Sequence, residues 1–557
     1  MTRKKRLIYL PLGGSGEIGM NMYVYGYGKP GLEEYIMIDA GVTFPDMATS
    51  PGVDLIMPDI KFIERNKERL LGIFITHAHE DHIGALGYLI EQLEAPIFCR
   101  DFSARIAVSK LNKVGNDGDR VQVIGQFPEK ITLNPFEVSF IPVAHSIPEA
   151  SFLVIDTPKG RIVHTGDFKI DKTPVLGDSF DQTLLGNLKN PDVLALVCDS
   201  TNVFIENSGR SESSLISNIT SLIKSQKGVV VATTFASNVA RLLTLARCAQ
   251  SSGRSVLVIG RAMQTMISTA SSVGLLKNFP STITVEEALT IPRSNLFILA
   301  TGSQGEGRAA SAQLAREKYM DIVLTEGDTF LFSSKTIPGN EVIVNQVINN
   351  FVERGISVID EENGRYHVSG HANRPDLIFL HQLLKPKLII PMHGEMRHLF
   401  EHKRLAEAGG FSSVVVPNGS VLEISKGGRA EIVEDVSSGR IYYDGGRLIN
   451  QVDNVIKTRI QMASRGHLSV SLLLEKNSIM ENGIWVKSKG LPKFLNEEIE
   501  FNFALEEALE IELLSISQNN LYDDNLLEGH IKRVCNKVCQ KSLGKKPVIT
   551  IFINRID

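Results

Sequence analysis

LLGIFITHAHEDHIGALGYLIEQL, running from Leu70 to Leu93, is the stretch on which the fold turns. Its first part, LLGIFIT, is a short apolar and β-branched run that reads as a buried strand. Its last part, IGALGYLIEQL, sets Ile83, Leu86, Leu89, Ile90 and Leu93 at helical spacing. Between them stands His77-Ala78-His79-Glu80-Asp81-His82. Imidazoles and carboxylates crowded where a strand gives way to a helix make a metal cradle. In an extended chain, residues two apart point the same way. His77 and His79 therefore face one ion, while Asp81 and His82, entering the turn, face a second. Imidazole and carboxylate donors suit zinc, manganese or a similar divalent ion. A lone histidine in a polar loop carries no such meaning; H-x-H-x-D-H after a hydrophobic strand does.

Further along, other chemistry-bearing residues also follow apolar runs. His145 follows VSFIPVA, Asp167 closes RIVHTGD, Asp199 ends VLALVCD, and His393 follows KLIIPM. Strand ends on one rim of a sheet converge, so residues distant in sequence can share a site. On that geometry Asp167 is the candidate bridging carboxylate, His145 completes the first ion's set and His393 the second's. Two divalent ions about 3.5–4 Å apart can hold a hydroxide, because coordination lowers the pKa of water from about 15.7 toward about 7. The pair also stabilises a pentavalent phosphoryl transition state. His371, in Tyr366-His367-Val368-Ser369-Gly370-His371, lies outside the ligand count and is the candidate general acid, with a packed core histidine as the plainer reading. His164 reads as a residue behind the ligands. His381, His398 and His402 fall in helical segments and read as surface or structural.

From about residue 206 to 365, strands and helices alternate, as in GVVVATTFASN followed by VARLLTLARCAQ. That pattern implies a parallel sheet flanked by helices. Its strand-to-helix loops, Ala236-Ser237-Asn238 and Gly302-Ser303-Gln304-Gly305, can accept phosphate at helix N-termini, or are ordinary loops. Because His-bearing strand ends resume after it, this segment reads as an insertion. The expected division is 1–205 and 366–430 for the first domain, 206–365 for the insert, 431–460 for a linker with short strands, and 461–557 for a small α+β domain. That last domain offers no recognisable chemistry, so packing, oligomerisation and RNA contact are its expected jobs. Gly14-Ser15-Gly16-Glu17-Ile18-Gly19 imitates a dinucleotide fingerprint, with Asp39 at the right distance. The fingerprint needs a helix next. Here MNMYVYGYG reads as a strand, so the glycines form a tight turn near the metals.

At 557 residues the chain exceeds one core and suggests three or four domains. Hydrophobic residues at 43% and charged residues at 22% mark a soluble globular protein. No apolar run approaches about 20 residues, which excludes a helical span. Five scattered cysteines, an odd number, fit a reduced cytosolic protein. Cys535 and Cys539 read as buried thiols rather than a zinc pair. With a net charge of −4, a nucleic-acid surface has to be a local channel.

The ordered set HAHEDH, HS, GD, DST, SGH and HGE resembles the metallo-β-lactamase fold with the inserted domain of the β-CASP nucleases, and within it the bacterial ribonuclease J family. GGSGEIGMNMYVY, AHSIPEA, HTGDFKID, TTFASN, TGSQGEGRAA, FSSKTIPGNE and HVSGHA carry the likeness, from about residue 10 to 400. The resemblance implies an α/β architecture: an αββα sandwich, an inserted α/β (β-CASP) domain and a small C-terminal α+β domain. It implies a cytoplasmic dizinc ribonuclease, with manganese or magnesium as alternative metals, having endonuclease and 5′-to-3′ exonuclease activity in RNA maturation and decay. By that likeness His77, His79, Asp81, His82, His145, Asp167 and His393 bind the metals, and Asp81, Asp199 and His371 are catalytic. Ala236, Ser237 and Asn238, together with His367, Val368, Ser369, Gly370 and His371, contact substrate phosphate, and a pocket favours 5′-monophosphorylated ends. The family further implies a structural calcium, for which Asp54 and Asp444 are candidates, dimers or tetramers through the C-terminal domain, and RNA-decay partners. Ala78 stands where glycine is common, and Asn373-Arg374-Pro375 replaces a more acidic helix start. Other readings are a thioester or lactam hydrolase, a DNA nuclease of the same superfamily, and a non-catalytic RNA-binding subunit of an RNA-decay complex.

Overall fold

The apolar run Leu70–Phe74 forms a strand inside an eight-stranded sheet. In this computed structural model, residues 4–360, 364–450, 453–476, 478–495, 499–516 and 521–556 are described. Arg6–Gly13, Met22–Lys29 and Leu32–Ile38 pair as an antiparallel meander, and Leu70–Phe74 adds parallel to the last of them. A second, six-stranded sheet faces the first. Tyr9, Tyr25 and Phe74 from one pack with Phe140, Leu153 and Ile390 from the other. Burying one such large side chain is worth roughly 1.5–3 kcal/mol, so the shared core fixes how the sheets stack. Helices Arg374–Leu384 and Met396–Ala408 cover the second sheet through Leu377, Leu380, Leu384 and Leu405.

Three strands of that second sheet, Gly160–His164, Val193–Asp199 and Leu388–Met392, run parallel and in register. Their carboxyl ends share a rim, which brings Asp167, Asp199 and His393 together. The helix expected after His82 is two short turns, Glu80–Ile83 and Leu86–Leu89, with Gly84 and Ala85 between them.

The alternating segment folds into a six-stranded, all-parallel sheet: Thr282–Ile283, Ser255–Ile259, Leu296–Ala300, Val230–Thr233, Thr329–Phe332 and Ser357–Ile359, in that spatial order. Its four inner strands are buried on both sides, which explains their near-continuous hydrophobicity. The loops after its central strands carry Ala236–Asn238, Ser303 and Ser334.

The chain divides into two compact units, Met1–Thr43 with Met57–Gly439, and Phe44–Ile56 with Arg440–Asp557. The stretch read as a linker is split between them. Ala430–Asp435 pairs with Ser420–Ile424 at the edge of the eight-stranded sheet. Arg440–Asp444 and Arg447–Asn450 form a hairpin in the second unit, where Tyr443 accepts a backbone hydrogen bond from Asp54. The rest of the second unit is a three-stranded sheet of His467–Glu475, Ser478–Lys489 and Val548–Ile556, covered on one face by helices Phe501–Leu514 and Asp524–Leu543. Among the described residues, no helix is long and apolar enough to cross a membrane.

Candidate metal centre

The glycine-rich turn after the first strand bends through left-handed backbone at Gly14, Gly16 and Gly19. No helix follows it, so the dinucleotide fingerprint lacks its anion site. Instead Ser15–Gly16 pairs with Gly394–Glu395, and Gly14 accepts the amide of His393 at 2.8 Å. This contact holds His393 at a positive φ of 49°, a conformation that persists only where surroundings enforce it.

Three imidazole nitrogens meet first. His79 Nδ1 lies 3.2 Å from His77 Nε2 and 3.0 Å from His145 Nε2. Asp167 Oδ2 lies 3.8 Å from His77 Nε2 and 3.7 Å from His145 Nε2. The same oxygen lies 3.3 Å from His82 Nε2, and Asp167 Oδ1 accepts from His393 Nδ1 at 2.7 Å. Asp81 Oδ2 lies 3.6 Å from His82 Nε2 and 3.3 Å from His393 Nε2. Two clusters result, His77–His79–His145 and Asp81–His82–His393, and Asp167 belongs to both.

A second layer orients these groups. Asp39, at the end of Leu32–Ile38, accepts from His82 Nδ1 at 2.7 Å and from the Thr76 amide and hydroxyl. With its own hydrogen committed to Asp39, Thr76 Oγ1 receives His77 Nδ1 at 3.0 Å, which turns the Nε2 lone pair inward. His145 Nδ1 donates to the Gly370 carbonyl at 2.6 Å. A Cβ on Gly370 would sit 2.9 Å from the His145 ring, so this approach requires glycine. His164 lies behind the ligands, its Nδ1 2.9 Å from the Tyr25 hydroxyl.

The electrostatics separate the two clusters. Burial, reinforced by neighbouring imidazoles, holds His77 and His145 well below the usual histidine range and His79 at about 4. The shift favours the neutral form of all three, in which an imidazole nitrogen can serve as a ligand. For His393, burial pulls downward, but the Asp167 and Asp81 carboxylates overcome it and lift the pKa to about 10. His82 is likewise raised against burial by Asp167, Asp81 and Asp39. Without a cation, imidazolium therefore balances the carboxylates on the second side. His393 Nε2 is buried and, although near Asp81, makes no hydrogen bond with usable geometry. An orphaned ring nitrogen facing a carboxylate, beside three neutral imidazoles, is a donor set that fits divalent ions.

His371 does not follow a strand; it lies in a loop, and Asp199 reaches it from the rim, with Oδ2 accepting from Nδ1 at 2.8 Å. Thr201 donates its amide and hydroxyl to the other Asp199 oxygen. Against burial, Asp199 and Asp167 raise the His371 pKa above its ordinary value. Asn238 caps the helix Val239–Ser251, accepting the Arg241 amide at 3.0 Å, with Ser237 and Ala236 just before it. Ser369 Oγ accepts from Asn202 and from the His371 amide.

Some important residues gave no signal in the sequence. Arg241 is wholly buried. It pairs with Glu212 and donates to Ser333, to the Tyr366 carbonyl and to His367 Nδ1 at 3.2 Å. It thereby ties the Asn238 helix to the His367–His371 loop. Asn202 bridges Ser369, the His371 carbonyl and Asn373. Charged residues are seldom buried, so spacing alone does not flag such an arginine; its place three residues after a capping asparagine was the available hint. His381, His398 and His402 are buried, with His381 and His402 joined at 3.1 Å beside Cys198. Asp54 and Asp444 are engaged within the protein. Asp54 accepts the Gly445 amide and Asp444 pairs with Arg459, and neither joins a metal-type cluster among the described residues.

Comparison with known proteins shows the family. Residues 19–197 match the metallo-beta-lactamase superfamily, 227–351 the ribonuclease J beta-CASP domain, 361–417 a Zn-dependent metallo-hydrolase RNA specificity domain, and 454–556 the ribonuclease J C-terminal domain. The chain is 38% identical to ribonuclease J of Sinorhizobium meliloti, covering 100% of this chain and 98% of that protein. It is 33% identical to ribonuclease J of Synechocystis sp., covering 99% and 87%. A crystal structure of a protein of unknown function from Enterococcus faecalis V583 superposes with a TM-score of 0.51 at 16% identity, covering 75% of this chain and 100% of that one, a likeness of fold alone.

Proposed function

The chain belongs to the ribonuclease J family, and from that premise we propose that it cleaves single-stranded RNA both internally and stepwise from the 5′ end. The observation that carries this reading is the shared position of Asp167 between two donor clusters on one rim. His77, His79 and His145 would hold one ion and Asp81, His82 and His393 the other, zinc by donor chemistry, with manganese or magnesium as alternatives. When bound, such ions make water nucleophilic at neutral pH and offset charge on a phosphoryl group.

The protein's own groups do the rest. Asp39 and Thr76 fix the tautomers of His82 and His77, and Gly370 fixes that of His145. Asp199 holds Nδ1 of His371, so Nε2 is the atom that carries a proton to the leaving oxygen. Asp199 and Asp167 favour the protonated form of His371, the form that can donate. Phosphates of the strand meet Ala236–Asn238 at the N-terminus of a helix, and the loop His367–His371 opposite. The buried hydroxyls of Thr233, Thr234 and Ser334, at the carboxyl ends of the insert's central strands, have no partner among the described residues. Such donors suit a terminal 5′-monophosphate.

The five thiols are unpaired, in keeping with action in a reducing cytoplasm as part of RNA turnover. On this reading copies of the chain associate through the C-terminal domain, and sedimentation of the full chain should give two or four times one chain's mass. The test of the activity is incubation with 5′-labelled and 3′-labelled RNA and DNA, with and without chelator. Chelator-sensitive loss of RNA, faster from monophosphate than triphosphate ends, is expected. Equal rates on both ends would remove the monophosphate pocket, and cleavage of DNA alone would replace RNA as the substrate.

A further inference from the structure

Among the described residues, helices Phe501–Leu514 and Asp524–Leu543 cover one face of the three-stranded sheet of the second unit. Along His467–Glu475, Leu468, Val470, Leu472 and Leu474 are buried against those helices. Their alternates face outward. Ser471 pairs with Trp485 on one neighbouring strand and with Phe552 on the other, so the three form one row across the open face. Both aromatics are half exposed, at 52% and 54%. With strands about 4.8 Å apart, the two rings flank the central strand at roughly 10 Å.

On one side the adjoining rows are polar; on the other, Leu473 pairs with Asn554. Next to the aromatic row on the polar side stand Lys487, Ser469 and Thr550, and beyond it Lys489, His467 and Val548. Both lysines are exposed, and His467 Nε2 lies 2.9 Å from the Thr550 hydroxyl. The acidic Glu475 sits at the opposite end of the central strand. Positive charge, hydroxyls and two spaced aromatic faces are thus gathered at one end of an open sheet.

We propose that this face is a landing surface for single-stranded RNA, with bases stacked on Trp485 and Phe552 and phosphates near Lys487 and Lys489. The inference rests on the reading of the chain as a ribonuclease and extends it to a second RNA contact outside the metal centre. Aromatic rings accept any base, and the lysines supply the charge that a polyanion needs. A second copy of the chain fits less well. Its contact would need a continuous apolar patch, whereas here lysine and hydroxyl side chains border the aromatic row on one side and Asn554 stands beside Leu473 on the other.

Trp485 is the chain's single tryptophan, so its emission reports on this face alone. Full-length His77→Ala protein, disabled in cleavage, is titrated with a long single-stranded oligouridylate. Saturable, salt-sensitive quenching is expected. Phe552→Ala in the same protein should raise the midpoint about five- to a hundredfold, the span of one base–aromatic stack, and Lys487→Ala with Lys489→Ala should raise it as well. RNA bound by anisotropy while the emission stays flat overturns the proposal, as does an unchanged midpoint in Phe552→Ala. Emission that follows protein concentration without RNA makes the face a contact between copies instead. Wild-type digestion of labelled RNA separates the two readings. Digestion with a silent Trp485 removes only the landing surface; neither digestion nor binding removes the ribonuclease reading and this inference with it.

Discussion

His371 and His393 sit 5.7 Å apart, ring to ring, yet the proposed chemistry gives them different work. His393 is buried among carboxylates and presents an unpartnered nitrogen toward Asp81, the position of a ligand. His371 is the more open of the two and rests on Asp199, the position of a proton donor. Replacing His371 by Ala should therefore lower kcat about 10²- to 10⁴-fold, the usual worth of general acid catalysis, while metal content is unchanged. The pH profile tests the same assignment. A histidine whose pKa is raised keeps its proton to higher pH than an ordinary imidazole and loses it as pH rises further. Activity should accordingly fall on the alkaline side in the wild type, and that fall should vanish in His371→Ala. Loss of an ion from the variant would make His371 a ligand instead.

At the scale of elements, the helix Val239–Ser251 is held to the His367–His371 loop by a single buried guanidinium. Arg241 and Glu212 satisfy each other in a dry setting. Breaking such a pair by removing one partner costs about 3–5 kcal/mol, because the other charge is left buried. Arg241→Ala should destabilise the protein by about that amount in chemical denaturation and raise KM for RNA more than it lowers kcat. A cost under about 1 kcal/mol would show that water reaches Glu212 and that the clamp is weak. Much of this level was legible in advance. The H-x-H-x-D-H stretch, the strands before His145, Asp167, Asp199 and His393, and the alternation of the insert all follow from hydrophobic period and residue type. The path of the chain from 44 to 56 was not legible, because its partners begin almost four hundred residues later, at Arg440. Nor was the division of 431–460, since short edge strands and linkers share a polar composition. Arg241 and Asn202 escaped for a related reason: they bond to loops distant in sequence, which leave no local pattern.

For the whole molecule, the architecture explains why residues spread from His77 to His393 can act as one site. Two sheets sharing an aromatic core place parallel strand ends on a single rim; Arg241 of the insert bonds to His367, and the loop that follows meets that rim where Gly370 accepts from His145 and Ser369 accepts from Asn202. Asp167 is the residue the centre shares most widely: among the described residues it alone belongs to both donor clusters and to the group around His371 and Asp199. Metal analysis of wild-type protein and of Asp167→Asn, by mass spectrometry under native conditions, tests this most directly. The wild type should carry two divalent ions per chain, and the variant should hold fewer than one and lack RNA hydrolysis. An Asp167→Asn protein that keeps two ions and its turnover would contradict the shared-carboxylate centre.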